Sequence, residues 1–530
     1  YGAQKRVNVT GSVATVNFKD LENIPQANTL NILSGRMAGV SAVQPGGQPG
    51  SDESSILIRG AGTLNDASPL VIIDGAMATT RDLGNLTPQE IESISVLKDA
   101  SSAAIYGSRG ANGVILVSTK QPSNKKLRIA YNFFYGRQSA TYLPKFVESW
   151  QWMTLNNIAT RATNYAPRVI EDVRNGILTD SFSNTQWFDQ VFRDAPMSNH
   201  SVSVSGGTSA LSFQGNVGYL EQQGIMYGTS ARRYTYRMNV RAAIAPILTA
   251  GFNTWGYIQK RMEPATAPNA IMNYTNMALP ITPVHYSSGK WGVYHPAHPG
   301  GNDPARIVNN PLLFTEIGRN DVDDSKLNLQ SYLELKPLRG LTARTMVTYG
   351  VNNMYGEDFM PTYSYSAFDD KPVLFNNRAN LQNREDNIEQ LQMQTTVNYT
   401  TKLAKVHELS ALLGYEYNQY NGRYFLASGY DLPDNDLQVL DRAVSDYNIG
   451  GSKQQWRLQS WFGRVNYAFA KKYLLEANLR IDGSSRFSAG NKYGVFPSFS
   501  AGWVLTEEKF MEGLQDAGIN LLKLRGGWGR

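Results

Sequence analysis

Residues 233–242, RYTYRMNVRA, alternate without a break. Tyr234, Tyr236, Met238, Val240 and Ala242 fall on one side, and Arg233, Thr235, Arg237, Asn239 and Arg241 on the other. A period of two is the signature of a β-strand, whose successive side chains point to opposite faces. A greasy face backed by arginines fits a strand with lipid on one side and water on the other. The same alternation recurs at 211–219, 327–336, 341–351, 391–401, 409–418 and 473–482. Each run has about ten residues, where soluble strands average ~5–6 and tilted membrane strands need ~9–11.

The connections point to a topology. Some are very short, at 206–210, 245–246, 337–340, 402–406 and 470–472. Others are long, at about 140–198, 260–325, 352–388 and 419–453, with medium ones at 221–229 and 483–496 in long slots. Short and long connections alternate along the chain, as periplasmic turns and extracellular loops do in outer-membrane barrels. A β-sandwich or propeller would alternate apolar and polar residues too, but it would not sort its loops by side. The reading is a mainly β protein built on a transmembrane antiparallel β-barrel. About twelve strands are expected, with a thirteenth starting near Leu521. The pattern breaks off inside a strand at GGWGR, 526–530, so the native polypeptide is expected to continue with roughly ten more strands before a barrel could close.

Residues 1–122 read differently. SPLVIIDGAM, 68–77, contains a short apolar strand stopped by the turn dipeptide Asp74-Gly75. IESISVLKDASSAAIYGSRGANGVILVSTK, 91–120, holds a strand, a short helix that Asp99 or Ser101 can cap and Gly107 can end, a glycine turn and a buried strand. Residues 29–40 have helical spacing, with Leu30, Leu33 and Met37 on one face. A compact α/β unit is predicted here, joined to the strand-rich part by a polar linker near Pro122.

Two blocks carry a family resemblance. ISVLKDASSAAIYGSRGANGVILVSTK, 94–120, together with ILIRG at 56–60 and VIIDG at 71–75, resembles the plug of a TonB-dependent outer-membrane transporter of the SusC/RagA branch. ANLRIDGSSRFSAGNKYGVFPSFSAGW, 477–503, is similar to that branch's barrel signature. The resemblance implies a plug domain at 1–122 in the lumen of a barrel of about 22 strands, whose first part is 123–530. It implies energised import of a bulky nutrient, an oligosaccharide in preference to a peptide, across the bacterial outer membrane. TonB would pull on a segment lying ahead of Tyr1, and a SusD-like surface lipoprotein would cover the long loops. Arg59, Asp74, Lys98, Asp99 and Arg109 belong to the plug signature. Two other classes stay open: an outer-membrane receptor that signals without transporting, and a soluble carbohydrate-binding β-protein.

Composition bounds the chemistry. Charged residues make up 18% of the 530, below the ~25% usual for soluble proteins. Aromatics reach 11%, with 29 Tyr and 9 Trp, which suits a membrane-interface girdle. No apolar run approaches the ~20 residues of a membrane helix, so a membrane crossing would have to use strands. The absence of cysteine excludes disulfides and thiolate chemistry. A net charge of +6 with no basic run gives no argument for nucleic acid.

Motif by motif, no catalytic, cofactor or metal site is predicted. Arg59-Gly60-Ala61-Gly62 lacks the third glycine of a dinucleotide fingerprint, because Asn65 stands there. Ser101, Ser102 and Ser108 sit near glycines without a nucleophile elbow, and capping explains them. His295 and His298 are three apart but flanked by prolines, which reads as a polar loop. Asp321, Asp323 and Asp324 lack the glycine and terminal glutamate of a calcium loop and read as a solvated acidic loop. The long loops are rich in aromatics that can stack on sugar rings, accept peptide side chains or pack against one another. Trp291, Tyr294, Tyr363, Tyr365 and Tyr424 are the candidates for ligand or lid contacts.

Overall fold

The computed structural model describes residues 10–21, 24–123, 125–293, 310–366, 372–404, 406–511 and 518–529, without the side chains of 20, 100, 364–366 and 372–375. Tyr294, His295, His298 and the side chain of Tyr365 therefore lie outside the described residues.

The N-terminal unit contains β1 (Val13–Asn17), α1 (Thr29–Ile32), β2 (Val40–Val43), β3 (Ser55–Ile58), β4 (Leu70–Ile73) and β5 (Ala76–Ala78). α2 (Thr80–Asn85), β6 (Ile91–Leu97), α3 (Ala100–Ala103) and β7 (Val114–Thr119) complete it. Five strands form a mixed sheet in the order β1-β6-β7-β4-β5, with β4 and β7 parallel. β2 and β3 pair separately. The core of the unit joins Phe18, Leu30, Leu33, Met37, Ile58, Val71, Ile73, Ile94, Val96, Ile115 and Val117. The helix expected over 29–40 shrinks to one turn. Its apolar face is buried as expected, but Gly35 and Gly39 take positive φ values of 69° and 76° and turn the chain into β2.

A second sheet of thirteen antiparallel strands follows, in simple sequence order. Its strands are β8 (Arg128–Gln138), β9 (Ala195–Gly207), β10 (Leu211–Gln223), β11 (Ser230–Ala245), β12 (Leu248–Glu263), β13 (Arg319–Leu338) and β14 (Leu341–Met360). After a small hairpin of β15 (Tyr363–Ser366) and β16 (Pro372–Asn376), it resumes with β17 (Asn380–Leu403), β18 (His407–Tyr430), β19 (Ser445–Phe469), β20 (Tyr473–Ser484), β21 (Tyr493–Val504) and β22 (Lys523–Gly529). Every segment with the two-residue period is strand, and every short connection is a turn between paired neighbours.

The faces of this sheet invert the rule for soluble proteins. Met238, Leu333, Val397, Leu413, Val465 and Leu479 are exposed on one face. Arg237, Gln330, Asn418, Ser460, Asn478 and Arg480 are buried on the other. An apolar outer face with a polar inner one is the arrangement of a membrane barrel wall. At the short-turn end the outer face carries an aromatic band: Phe469, Tyr473 and Trp503 stack at centroid distances of 6.2 and 6.4 Å. Among the described residues no helix is long and apolar enough to cross a membrane.

The loop side differs from the expectation. β17 and β18 have 24 residues and β19 has 25. At about 3.3 Å per residue they are roughly 80 Å long, far more than a tilted membrane strand needs. Much of 352–388 and 419–453, read as loop, is thus paired strand. Beyond the bilayer both faces of a strand meet water, so the apolar–polar period fades while the hydrogen-bond ladder continues. Asp321, Asp323 and Asp324 likewise sit in β13 and not in an acidic loop. The long β8–β9 connection folds into α4 (Ser149–Thr160), α5 (Pro167–Arg174) and α6 (Trp187–Val191). Met153, Tyr165, Val173 and Trp187 from it pack with Leu279 and Ile281 of the β12–β13 connection, so two loops share one core.

Candidate functional site at the boundary between unit and wall

Wall strands bring inward side chains to the N-terminal unit: Trp255 joins its core, Leu412 and Phe462 pack with Ile72, Tyr106 and Val114, and Met197 and Leu220 pack with Ala27, while buried polar contacts tie the two together between these patches. Arg237 of β11, almost fully buried, reaches Glu90 at 3.1 Å and Asp74 at 3.3 Å. Asp74 sits in the β4–β5 turn with φ +50° and also accepts from the Thr119 N–H at 2.9 Å and its hydroxyl at 2.5 Å. Burial pushes the Glu90 carboxyl up, against the pull of Arg237. Next to this pair, Arg233 donates to Asn85 Oδ1 and the Ala27 carbonyl, both at 2.7 Å.

A second anchor lies on β20. Arg480, 1% exposed, binds Glu416 of β18 at 3.2 Å and Asp482 at 2.6 Å, and donates to the Ile105 carbonyl at 2.7 Å. Asp482 in turn accepts from the Ser108 N–H at 3.1 Å. Gly107 lies between, with φ +65° and ψ −149°. A Cβ there would stand 2.0 Å from Asp482 Oδ2. Gly107 was expected to end a helix in the left-handed conformation. Its ψ is not that of a left-handed turn, and its backbone region and close approach to the wall both demand glycine.

The signature residues are spread over the unit. Asp99 caps α3: it accepts from the Ser102 N–H at 2.9 Å, from Ser101 Oγ at 3.1 Å and from the Ser12 N–H at 2.5 Å. Burial pushes its carboxyl up, but bonds from Ser102, Ser12 and Ser101 outweigh burial and hold it below the ordinary value. Lys98 donates to the Ala38 carbonyl at 2.7 Å. Arg59 has φ +59° and an exposed side chain, and its backbone N–H bonds Gly39. Of the five, Asp74 and Arg109 make side-chain contacts with the wall. Arg109 lies over the Trp456 ring at 4.5 Å.

Trp456 is a luminal residue that the sequence reading did not single out. Strand register sets Asn328, Gly350, Gln390, Tyr420 and Trp456 side by side across β13, β14, β17, β18 and β19. Tyr420 and Trp456 stack at 5.3 Å with planes 4° apart, and Arg486 lies 5.2 Å from the Trp456 centroid. Asn328, Gly350, Gln390 and Trp456 of this row, together with Arg109, Met77, Thr79, Thr348 and Gln392, line a cavity of about 130 Å³ on the loop side of the β4–β5 hairpin. A larger cavity of about 730 Å³ lies on the turn side, between Asp74, Tyr106 and Ser118 and the wall residues Tyr332, Arg344, Met346 and Gln394. Between the two, the Met77 N–H donates to Gln392 Oε1 at 3.0 Å, and Gln330 donates to the Asp74 carbonyl at 3.3 Å.

The loop aromatics divide. Tyr424 shares the luminal face of β18 with Tyr420, and Arg384 lies over its ring at 4.7 Å. Trp291 meets His285 at 4.1 Å with the rings tilted by 38°, and Tyr363 meets Phe314 edge-on at 6.3 Å. Both pack against one apolar cluster with Val191, Ile271 and Leu313. No group of metal-ligating side chains is present among the described residues.

Comparison with known proteins agrees with this architecture. Residues 5–114 match the TonB-dependent Receptor Plug Domain, and residues 268–530 match the TonB dependent receptor-like beta-barrel. The chain is 29% identical to a TonB-dependent receptor of Formosa agariphila, covering 100% of this chain and 52% of that protein. It is 28% identical to the TonB-dependent receptor SusC of Bacteroides thetaiotaomicron, again over 100% of this chain and 52% of the relative. The chain thus spans about half the length of these relatives. Among solved structures it resembles the RagAB peptide transporter, with a TM-score of 0.82 at 24% identity over 98% of this chain and 60% of that one.

Proposed function

Because the chain belongs to the TonB-dependent receptors, and is SusC/RagA-like and an outer-membrane β-barrel protein among them, we propose that it imports a bulky nutrient under TonB-supplied force. Residues 1–122 act as the plug and 123–530 as barrel wall. The cargo is an oligosaccharide in preference to a peptide, and a SusD-like surface lipoprotein closes over the long loops. The supporting observation is the character of the boundary. Beside apolar patches at Trp255, Leu412 and Phe462, the plug meets the wall through carboxylates, guanidinium groups, amides and hydroxyls, and water can solvate these polar groups when the plug is displaced. An apolar boundary would have to expose its whole area to water at each opening.

The loops add support for a partner. Two long connections share a packed core, and outer β-strands rise well past the bilayer, which builds a broad surface for a lid. The test is uptake of a labelled oligosaccharide by cells that carry the protein, with and without TonB, together with purification in mild detergent. Import should require TonB, and a lipoprotein should co-purify. Equal uptake without TonB would overturn the reading of energised import, and full ligand affinity in the isolated polypeptide would overturn the lid.

A further inference from the structure

We propose that the outer face of β11–β14 carries a site for one phospholipid, whose acyl chain lies in a groove of the wall and whose phosphate meets Arg339 at the turn below. The groove has a volume of about 440 Å³ and crosses four strands. That volume lies within the ~300–1,000 Å³ range of ligand pockets. Strand register explains the hollow. Ala242 of β11 and Ala250 of β12 are cross-strand partners, and Leu333 of β13 stands next in the same row. Phe252, Ser331 and Val347 form the neighbouring row. Two adjacent alanines leave the surface low beside the exposed Phe252 and Leu333.

Position and charge identify the occupant. The groove is continuous with the apolar outer face that carries Met238, Val397 and Leu413, the face of the wall that lipid covers. From Arg339 to Leu333 is about 20 Å along the chain at ~3.3 Å per residue. For a strand tilted by ~45° that is about 14 Å of depth. Half of the ~30 Å hydrocarbon core is ~15 Å. A lipid with its phosphate at Arg339 therefore brings its chain to the groove. Arg339 is exposed at the tip of the β13–β14 turn, beside Gly340 with φ +85°. On the same side of the wall Lys336, Lys402 and Lys472 pair with Glu334, Glu408 and Glu508. Arg339 has no carboxylate partner among the described residues, and its planar guanidinium matches a phosphate with two parallel hydrogen bonds.

The wall has a use for a seated chain here. Tyr332 borders both this groove and the larger luminal cavity, so only the sheet itself separates two hollows. On the luminal side the Tyr332 ring lies against Gly251, where a Cβ would stand 2.1 Å from it. Atoms that border a void lose packing partners on that side. A chain held in the groove restores them on the outer side of a stretch that lacks them on the inner one. A second copy of the protein, docked on the same face, would also fill the groove but would bring no phosphate to Arg339, and it is the competing outcome of the test.

The test is native mass spectrometry of the full-length protein purified from outer membranes in mild detergent, titrated with phosphatidylglycerol and with diacylglycerol of the same chains. One phosphatidylglycerol should stay bound per chain after the detergent is stripped, and diacylglycerol should bind more weakly. Ala250→Trp fills the groove and should abolish the retained lipid. Ala242→Phe fills it from β11 and keeps the test valid if Ala250→Trp does not fold. Arg339→Gln should weaken phosphatidylglycerol about two- to fivefold and leave diacylglycerol unchanged. Leu479→Trp, on the same outer face but on β20, should change nothing. Retention of the lipid with the groove filled overturns the site, as does retention of detergent alone or of no lipid. Equal binding of the two lipids overturns the role of Arg339. A dimer that falls apart in Ala250→Trp, with no lipid released, gives the groove to a second copy and overturns the proposal.

Discussion

The plug is held by two kinds of flank. On the β11 and β20 sides, Arg237 and Arg480 are fully enclosed and each holds two carboxylates, with Glu90 and Asp74 of the plug on one and Glu416 and Asp482 of the wall on the other. On the β13–β17 side, Lys326 holds Asp82 at 2.9 Å and Arg81 reaches Asp324 at 3.6 Å towards the loops, but next to the cavities Gln330 and Gln392 hold only backbone groups. Breaking a buried ion pair strands a charge, whereas breaking an amide contact next to a wet cavity exposes a group that water can satisfy. The Arg237 pairs therefore fix the plug, and the stretch around Gln330 and Gln392 is where displacement costs least; on the β20 side the ion pairs stay within the wall and only the bonds to Ile105 and Ser108 reach the plug.

The largest effect should come from the fixed flank. Arg237→Met leaves Glu90 and Asp74 buried without a cation, and we expect a loss of about 3–5 kcal/mol in plug stability, read from urea-dependent protease cleavage of the plug. A loss below about 1 kcal/mol would mean that this side anchors nothing. Gly107→Ala should follow, costing about 1–3 kcal/mol by the same assay, since its Cβ would clash with Asp482 in a backbone region that alanine avoids.

The open flank should respond in another way. Gln330→Ala with Gln392→Ala should cost only about 1 kcal/mol per site. The same pair should raise leakage of small solutes through the membrane, measured as periplasmic hydrolysis of a chromogenic β-lactam. If leakage rises equally in Arg237→Met and not in the glutamine pair, the assignment of the two flanks is reversed.

The smallest effect concerns the rim. Arg378 donates to Asp431 at 2.8 and 2.9 Å, and Ser445 and Asp446 join the cluster. The bonds from Arg378 and Ser445 hold the Asp431 carboxyl down to about 2. A depressed carboxylate stabilises most above its ordinary value of 3.8, and that contribution fades as pH falls from 3.8 through about 2. Hydrogen exchange at 431–446 should be unchanged between pH 7 and 5 once corrected for intrinsic rates, and should accelerate only below pH 4.

Much of this was legible in the sequence, for reasons that particular residues show. Arg233–Arg241 revealed its faces because lipid and plug impose opposite chemistry on alternate side chains. The plug strands around Val71, Ile94 and Ile115 were legible because they are apolar and bounded by glycine or Asp-Gly turns. The upper halves of β17–β19 were not, since a strand wet on both faces leaves no period. Trp456, Tyr420, Asn328 and Gly350 are up to 128 positions apart in sequence and become one row only through the register of five strands. Pairing of that kind has no local sequence signal. Asp74 and Arg109 were picked out from the family resemblance, but their partners Arg237 and Trp456 came from the pairing of plug and wall.

The central claim is that residues 1–122 fill and close the lumen of the wall. Single-channel recording in planar lipid bilayers tests it directly, by comparing the full-length protein with the same protein lacking 1–122. The account predicts that the intact protein stays closed and that the deletion opens a large, steady conductance. Equal conductance from both, either open or closed, would contradict it.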